Sequence, residues 1–204
     1  MSRLNEEFEA NIWPDFLEKC ESGEFLKNDV FDLFKIQDYY QEKYSNWNRI
    51  IEGIYITLEK NNINMFENQT QLPTMFCYCW NFLKKITIPA TVRIIGAHAF
   101  SGCKYLETVL FEKDSYDLFR ILDGAFSDCW SLKDIKLPEG IEVLEEFTFN
   151  GCLNLKEFYV PDSLKDFLPD SCWVFNKCIS LRNIVFSTGD KLEVKWDVEF
   201  KLVR

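Results

Sequence analysis

The sequence is poor in histidine, glycine and proline. A single histidine, His98, occurs among 204 residues, and general-base, nucleophile-activating and zinc sites draw heavily on imidazole. The chain also carries no phosphate-binding loop, nucleophile elbow or zinc-protease motif, so neither catalysis nor a metal ion or cofactor is expected. With 8 glycines and 6 prolines, the composition is not that of a low-complexity or disordered chain.

Basic residues are outnumbered by acidic ones. The chain has 23 lysines and arginines against 33 aspartates and glutamates, a formal charge of −10, and residues 1–75 alone hold 14 acids and 7 bases. A surface of this sign repels nucleic-acid phosphate, so direct binding of DNA or RNA is not expected. A basic protein partner remains compatible with it, because opposite charges steer association.

Long apolar runs are missing as well. No segment reaches the length of about 18 uncharged apolar residues that a membrane-spanning helix needs. Glu6, Glu7 and Glu9 occupy the part of the chain where a secretory signal would be apolar. We therefore predict a cytoplasmic protein with no membrane contact, a monomer or weak oligomer.

Eight cysteines raise the question of disulfides or zinc, and their spacing argues against both. Cys77 and Cys79 form a C-x-C pair that has no second pair at zinc spacing. Five cysteines instead follow a phenylalanine by three residues: Phe76–Cys79, Phe100–Cys103, Phe126–Cys129, Phe149–Cys152 and Phe175–Cys178. A leucine follows each of the last four cysteines by three residues: Leu106, Leu132, Leu155 and Leu181. The first copy fits with one extra residue, and Cys79 is then read as a fifth member of the cysteine series.

Each copy predicts a short strand. The pattern Leu-x-x-Val-x-Phe puts apolar side chains on one side at period two, and Pro89, Pro138 and Pro161 end the strands that precede them. A second apolar run and a turn with a small residue before phenylalanine complete the unit. One unit cannot bury its own apolar side, so stacked copies would share ladders of phenylalanine and cysteine.

The unit Ile86–Leu106, ITIPATVRIIGAHAFSGCKYL, resembles a BspA-type leucine-rich repeat, whose signature is I-x-I-P-x-x-V-x-x-I-G-x-x-A-F-x-x-C-x-x-L. Later copies depart from it, since Leu122 stands at the glycine and Thr148 at the alanine before the phenylalanine. The resemblance implies a curved solenoid with a parallel sheet on one face. It also implies adhesion or protein-recognition roles, usually at cell surfaces.

The predicted fold class is α+β: a short leucine-rich-repeat solenoid with a parallel β ladder of five strands, an N-terminal helical head and a C-terminal β-hairpin cap. Residues 1–71 form the head or N-terminal cap, 72–187 the repeats and 188–204 the capping hairpin. Two or three helices are expected in the head, one of them after an N-cap at Asn28-Asp29; a degenerate strand at 54–58 is the alternative. After a turn at 187–190, strict alternation from Leu192 to Leu202 predicts one strand.

The predicted binding surface is the outward face of the repeat strands. Its central column is Thr87, Leu110, Lys136, Tyr159 and Val185, and a neighbouring column is Lys85, Thr108, Asp134, Glu157 and Asn183. The residues predicted to bind protein are Leu110, Lys136, Tyr159, Val185, Asp134 and Glu157. A row of exposed apolar side chains is typical of a contact patch. Extra residues near 113–118 and 162–172 predict two loops that project from one rim.

Two functions follow. The first is a non-enzymatic module that binds a protein through the sheet face and the projecting loops. The alternative is an acidic inhibitor, of viral or mobile-element type, that blocks a basic, nucleic-acid-binding target enzyme. The sequence does not identify the partner, because a solenoid determines only the shape of its binding surface.

Overall fold

The computed structural model describes residues 8–24, 33–67, 69–113, 118, 120–164, 173–196 and 202–203. It divides into two compact units, residues 1–69 and 70–204. Asn28 and Asp29, the predicted N-cap, lie outside the described residues, as do most of the two predicted loop insertions. In the described part of the chain, no helix combines the length and the apolar composition needed to cross a bilayer.

The first unit is helical, as predicted. A π-helical turn over Phe8–Ile12 leads into α1 (Trp13–Glu21), and α2 (Leu33–Lys43) and α3 (Trp47–Lys60) follow. Helix α3 buries a stripe that includes Ile50, Ile51, Ile54 and Leu58, positions that recur every three or four residues and so share one side of a helix. The alternative of a strand at 54–58 is wrong.

Aromatic side chains hold α1 against α2. The Tyr40 hydroxyl donates a hydrogen bond to Asp15 Oδ2 at 3.0 Å, and the Tyr40 ring contacts Tyr39 edge-on and stacks with Tyr44. Burial, and then the Asp15 charge, raise the pKa of Tyr40. These tyrosines therefore stabilise the helical unit.

The second unit winds through two sheets. The larger sheet contains β2 (Lys85–Ile88), β4 (Thr108–Phe111), β6 (Asp134–Lys136), β8 (Glu157–Val160), β9 (Asn183–Phe186) and β10 (Lys191–Glu193). The smaller sheet contains β1 (Gln71–Leu72), β3 (Ile94–Ile95), β5 (Arg120–Ile121) and β7 (Val143–Leu144). Strands of the larger sheet stack in the order β10-β9-β8-β6-β4-β2, and those of the smaller sheet in the order β1-β3-β5-β7.

All neighbours from β2 to β9 pair in parallel, which confirms the predicted five-strand parallel ladder. The smaller sheet is parallel throughout and comes from the second apolar run of each copy, for which no sheet was predicted. The unit is therefore a β-solenoid with a strand on two of its sides.

Phenylalanine and cysteine ladders fill the solenoid core. The rings of Phe100, Phe126, Phe149 and Phe175 stack in sequence with centroids 5.2, 5.7 and 5.9 Å apart. Each ladder cysteine is buried and donates its thiol proton to a carbonyl of the preceding turn: Cys103 to Cys77, Cys129 to Phe100, Cys152 to Phe126 and Cys178 to Phe149. The cysteines thus act as small core residues that also satisfy backbone carbonyls.

The first turn is aligned with the later copies one residue further along the chain than predicted. The Cys77 amide bonds to Ala99 O in the way that the Phe100 amide bonds to Ala125 O, so Cys77 takes the phenylalanine place. Trp80 consequently takes the cysteine place, and Cys79 lies exposed in a left-handed turn. The prediction that Cys79 is a fifth ladder cysteine is wrong, and the turn needs no extra residue.

The C-terminal hairpin is shorter than predicted. The turn at 187–190 is confirmed, and β10 pairs antiparallel with β9. The single strand predicted from Leu192 to Leu202 is wrong, because β11 (Lys195–Trp196) pairs antiparallel with β12 (Leu202–Val203). The two strands run in opposite directions, and hydrophobic alternation alone does not reveal this change of direction.

Gly96 lies against the backbone of the preceding turn. A Cβ added there would stand 2.5 Å from Leu72 O and 2.6 Å from Pro73 C, and backbone cannot swing aside as a side chain can. We expect Gly96→Ala to lower the free energy of unfolding by about 3 kcal/mol, measured by urea denaturation. Gly189→Ala is the control, since its Cβ would meet nothing within 4 Å and costs only the strain of a left-handed residue, about 1 kcal/mol. Equal losses in the two variants would contradict the close approach.

Candidate protein-interaction face

The outward face of the larger sheet brings the predicted site residues together. Backbone register pairs Asp134 with Glu157 and Lys136 with Tyr159, and Tyr159 in turn with Val185. Leu110 lies two residues after Thr108, which pairs with Asp134. Because side chains two apart on a strand share a face, all six predicted residues belong to one surface.

Exposure separates these residues into two groups. Leu110 and Tyr159 are 42% and 38% exposed, which is unusual for large apolar side chains on a rigid sheet. Asp134 and Lys136 are also exposed. Val185 retains only 8% of its surface, so the prediction that it is exposed is wrong.

Lys191 explains why Val185 is buried. It pairs with Val185 across β9 and β10, and its Nζ reaches over β9 to Glu157 Oε1 at 3.2 Å. The predictions omitted Lys191; a four-residue turn at 187–190 would place residue 191 opposite 186, whereas the observed register places it opposite 185.

Glu157 is the centre of a polar network on this face. Its Oε2 accepts a hydrogen bond from the Tyr159 hydroxyl at 2.9 Å, and its Oε1 accepts bonds from Asn183 Nδ2 at 3.0 Å and Lys191 Nζ at 3.2 Å. These donors, Tyr159 first, hold the pKa of Glu157 below its usual value, and the same bond raises the pKa of Tyr159. This bond restrains the tyrosine side chain beside Glu157.

A groove of about 380 Å³ opens beside Tyr159 where β6, β8 and β9 end. Its lining includes Lys136, Glu139, Tyr159, Val185 and Phe186. The groove combines an apolar floor with charges of both signs at its edge, an arrangement suited to a side chain or loop of another protein.

Other chemistry-bearing residues occupy structural places. His98 adopts a left-handed turn conformation, and its ring lies where a Cβ on Gly124 would be, 2.4 Å from Nδ1. Within the described residues, no group of three or more histidine, cysteine, aspartate or glutamate side chains could hold a metal ion.

This architecture defines a leucine-rich-repeat solenoid, a class of proteins that generally serve as binding scaffolds and are generally non-enzymatic. The chain belongs to the BspA-type leucine-rich-repeat family, whose model matches residues 70–194 in 6 copies.

Two solved structures are similar to part of this chain. A leucine-rich cell surface protein from Faecalibacterium prausnitzii A2-165 is 29% identical with a TM-score of 0.51, over 59% of this chain and 30% of that one. The T. pallidum leucine-rich-repeat protein is 25% identical with a TM-score of 0.48, over 58% of this chain and 64% of that one. The chain thus spans less than two thirds of either relative. No curated protein matches the sequence significantly.

Proposed function

We propose that this chain is a non-enzymatic protein-interaction module whose partner lies on the outward face of the larger sheet. The observation that carries the proposal is the pair of exposed apolar side chains, Leu110 and Tyr159, on either side of Lys136 on a rigid parallel sheet. An aromatic anchor fixed in advance loses little conformational entropy on binding. Aromatic residues also dominate the energetics of protein interfaces.

Replacing Tyr159 by alanine tests this proposal. Tagged protein is incubated with lysate of its native cells, and the captured partners are quantified by mass spectrometry. Tyr159→Ala is expected to reduce capture of the main partner about tenfold, a loss of about 1.4 kcal/mol. The thermal midpoint should stay within about 2 °C, because an exposed side chain is removed.

Tyr78→Ala is the matched control, because Tyr78 is exposed to a similar degree but lies in a turn outside the larger sheet. Its capture should equal that of the unsubstituted protein. A large fall in stability of Tyr159→Ala without loss of capture would refute the sheet face as the interface.

The inhibitor of a basic, nucleic-acid-binding enzyme is a second candidate, supported by the acid excess of residues 1–75, 14 acids against 7 bases. Charge-driven capture weakens steeply with salt, whereas apolar contact does not. Repeating the capture at high salt therefore distinguishes the interaction module from the inhibitor. If the partner is lost at modest salt and its capture does not depend on Tyr159, the result favours the inhibitor.

We further propose a cytoplasmic location and a monomer or weak oligomer. The formal charge of −10 is compatible with a cytoplasmic protein, while the F. prausnitzii relative is described as a cell surface protein. An immunoblot of the cell fractions used for capture distinguishes these locations.

A further inference from the structure

A column of basic residues runs along the solenoid at the start of the repeat strands. Its members, here the basic column, are Lys84, Glu107, Lys133, Lys156 and Arg182. Each backbone amide donates to the carbonyl of the member one turn earlier, at 2.8, 3.4, 3.1 and 2.9 Å in order. Four of the five side chains are cations, in a chain whose formal charge is −10.

The charge of this column is only partly neutralised. Glu107 forms an ion pair with Lys133, and the Lys133 hydrogen bond holds the pKa of Glu107 below its usual value. Lys156 and Arg182 are exposed, and neither takes part in an ion pair among the described residues. The Arg182 guanidinium instead donates to the carbonyls of Ile179 and Leu181. Within the described part of the chain, these two neighbouring cations therefore have no carboxylate partner.

An apolar strip lies beside the basic column. Its members are the residues that directly follow the ladder cysteines. Three of them are apolar, Trp130, Leu153 and Ile179, and the fourth is Lys104. Trp130 and Ile179 are 41% and 42% exposed, and the Lys104 ammonium lies 4.2 Å from the centre of the Trp130 ring. The bond from Arg182 to Ile179 O, 2.8 Å long, joins strip and column in one surface.

We infer that the basic column and the apolar strip together form a second docking surface, which binds an extended acidic segment of a partner protein. Carboxylates of that segment pair with Lys156 and Arg182, and its apolar side chains cover Trp130 and Ile179. Strands lie about 4.8 Å apart, so the column is about 19 Å long, roughly six extended residues. This surface is distinct from the outward face and does not depend on it.

The local carboxylates favour an acidic peptide over a nucleic acid. Glu107 interrupts the column, and each of Asp134 and Glu157 directly follows one of its lysines in the chain. A nucleic acid carries a phosphate at every nucleotide and would meet these carboxylates, together with the overall negative charge. A short peptide needs only two carboxylates opposite Lys156 and Arg182, and nucleotides have no aliphatic side chain for Ile179.

Fluorescence anisotropy with a labelled eight-residue peptide tests the inference. The peptide alternates glutamate with leucine and serine; the same peptide with glutamine in place of glutamate, and a single-stranded oligonucleotide, are compared with it. Of the three ligands, we expect only the glutamate peptide to bind. The Lys156→Gln/Arg182→Gln variant should lower its affinity at least fivefold, and Trp130→Ala should lower its affinity at least threefold. Circular dichroism checks that each variant is folded.

Lys136→Gln/Lys191→Gln is the matched control, since it removes the same charge from the outward face. Its peptide affinity should stay within twofold of the unsubstituted protein. No binding of the glutamate peptide, equal weakening in both double variants, or equally tight binding of the oligonucleotide would each overturn the inference.

Discussion

Replacing Phe126 by alanine is expected to lower the free energy of unfolding by about 3–5 kcal/mol. The ring is fully buried and lies nearly parallel to Phe100 and Phe149, with interplanar angles of 6° and 9°. Removing it exposes a face of each neighbouring ring to an internal cavity, so dispersion contacts are lost on both sides. Equilibrium urea unfolding followed by circular dichroism measures the loss.

Phe126→Leu is the matched control because it restores most of the volume. It should cost less than about 1.5 kcal/mol, the range for volume-conserving changes in a core. A loss below about 1 kcal/mol for Phe126→Ala would show that the turns close around the missing ring and that the stacked ladder contributes little to stability.

Alkaline pH is expected to destabilise the fold steeply. Burial raises the pKa of Cys103 to about 12 and that of Cys77, Cys129 and Cys152 well above the ordinary value. In the unfolded chain these thiols ionise near pH 8.5, so above that pH the folded state binds more protons than the unfolded state. Stability is then complete below about pH 8 and is lost as pH rises, at about 1.4 kcal/mol per pH unit for each thiol.

Four such thiols predict a slope of about 5 kcal/mol per pH unit between about pH 9 and 11. Urea unfolding in reducing buffer at a series of pH values measures it. Cys129→Ala/Cys152→Ala should halve the slope, although it also lowers stability at neutral pH. An unfolding free energy that stays constant from pH 8 to 10 would contradict the buried-thiol account.

The repeating part of the fold could be predicted because each copy has the same residue pattern. Four turns carry phenylalanine, cysteine and leucine at constant spacing, and the parallel pairing of β2 to β9 follows from that spacing alone. The outward-facing columns of residues could be predicted too, because successive side chains along any strand point to opposite faces of the sheet. Thus the candidate face was predictable wherever the strands were.

The ends of the array were not predictable in the same way. In the first turn, Phe76 and Cys79 imitate the motif one residue out of phase, and only the backbone bonds show that Cys77 and Trp80 fill the core places. Val185 was misjudged because its cover, Lys191, comes from outside the repeats. Where the repeat stops, the competing register or the covering residue depends on tertiary contacts that no local pattern contains.

The antiparallel strand β10 has a consequence for how such a protein can change length. A further repeat would need the free hydrogen-bonding edge of β9, and β10 already occupies that edge in the opposite direction. Duplication or loss of repeats is therefore expected before β9 and not after it, since each parallel strand there can accept another like itself. The same closure denies the edge of β9 to neighbouring molecules, and the edge that remains belongs to β10, a short exposed strand whose lysine and glutamate disfavour intermolecular strand addition.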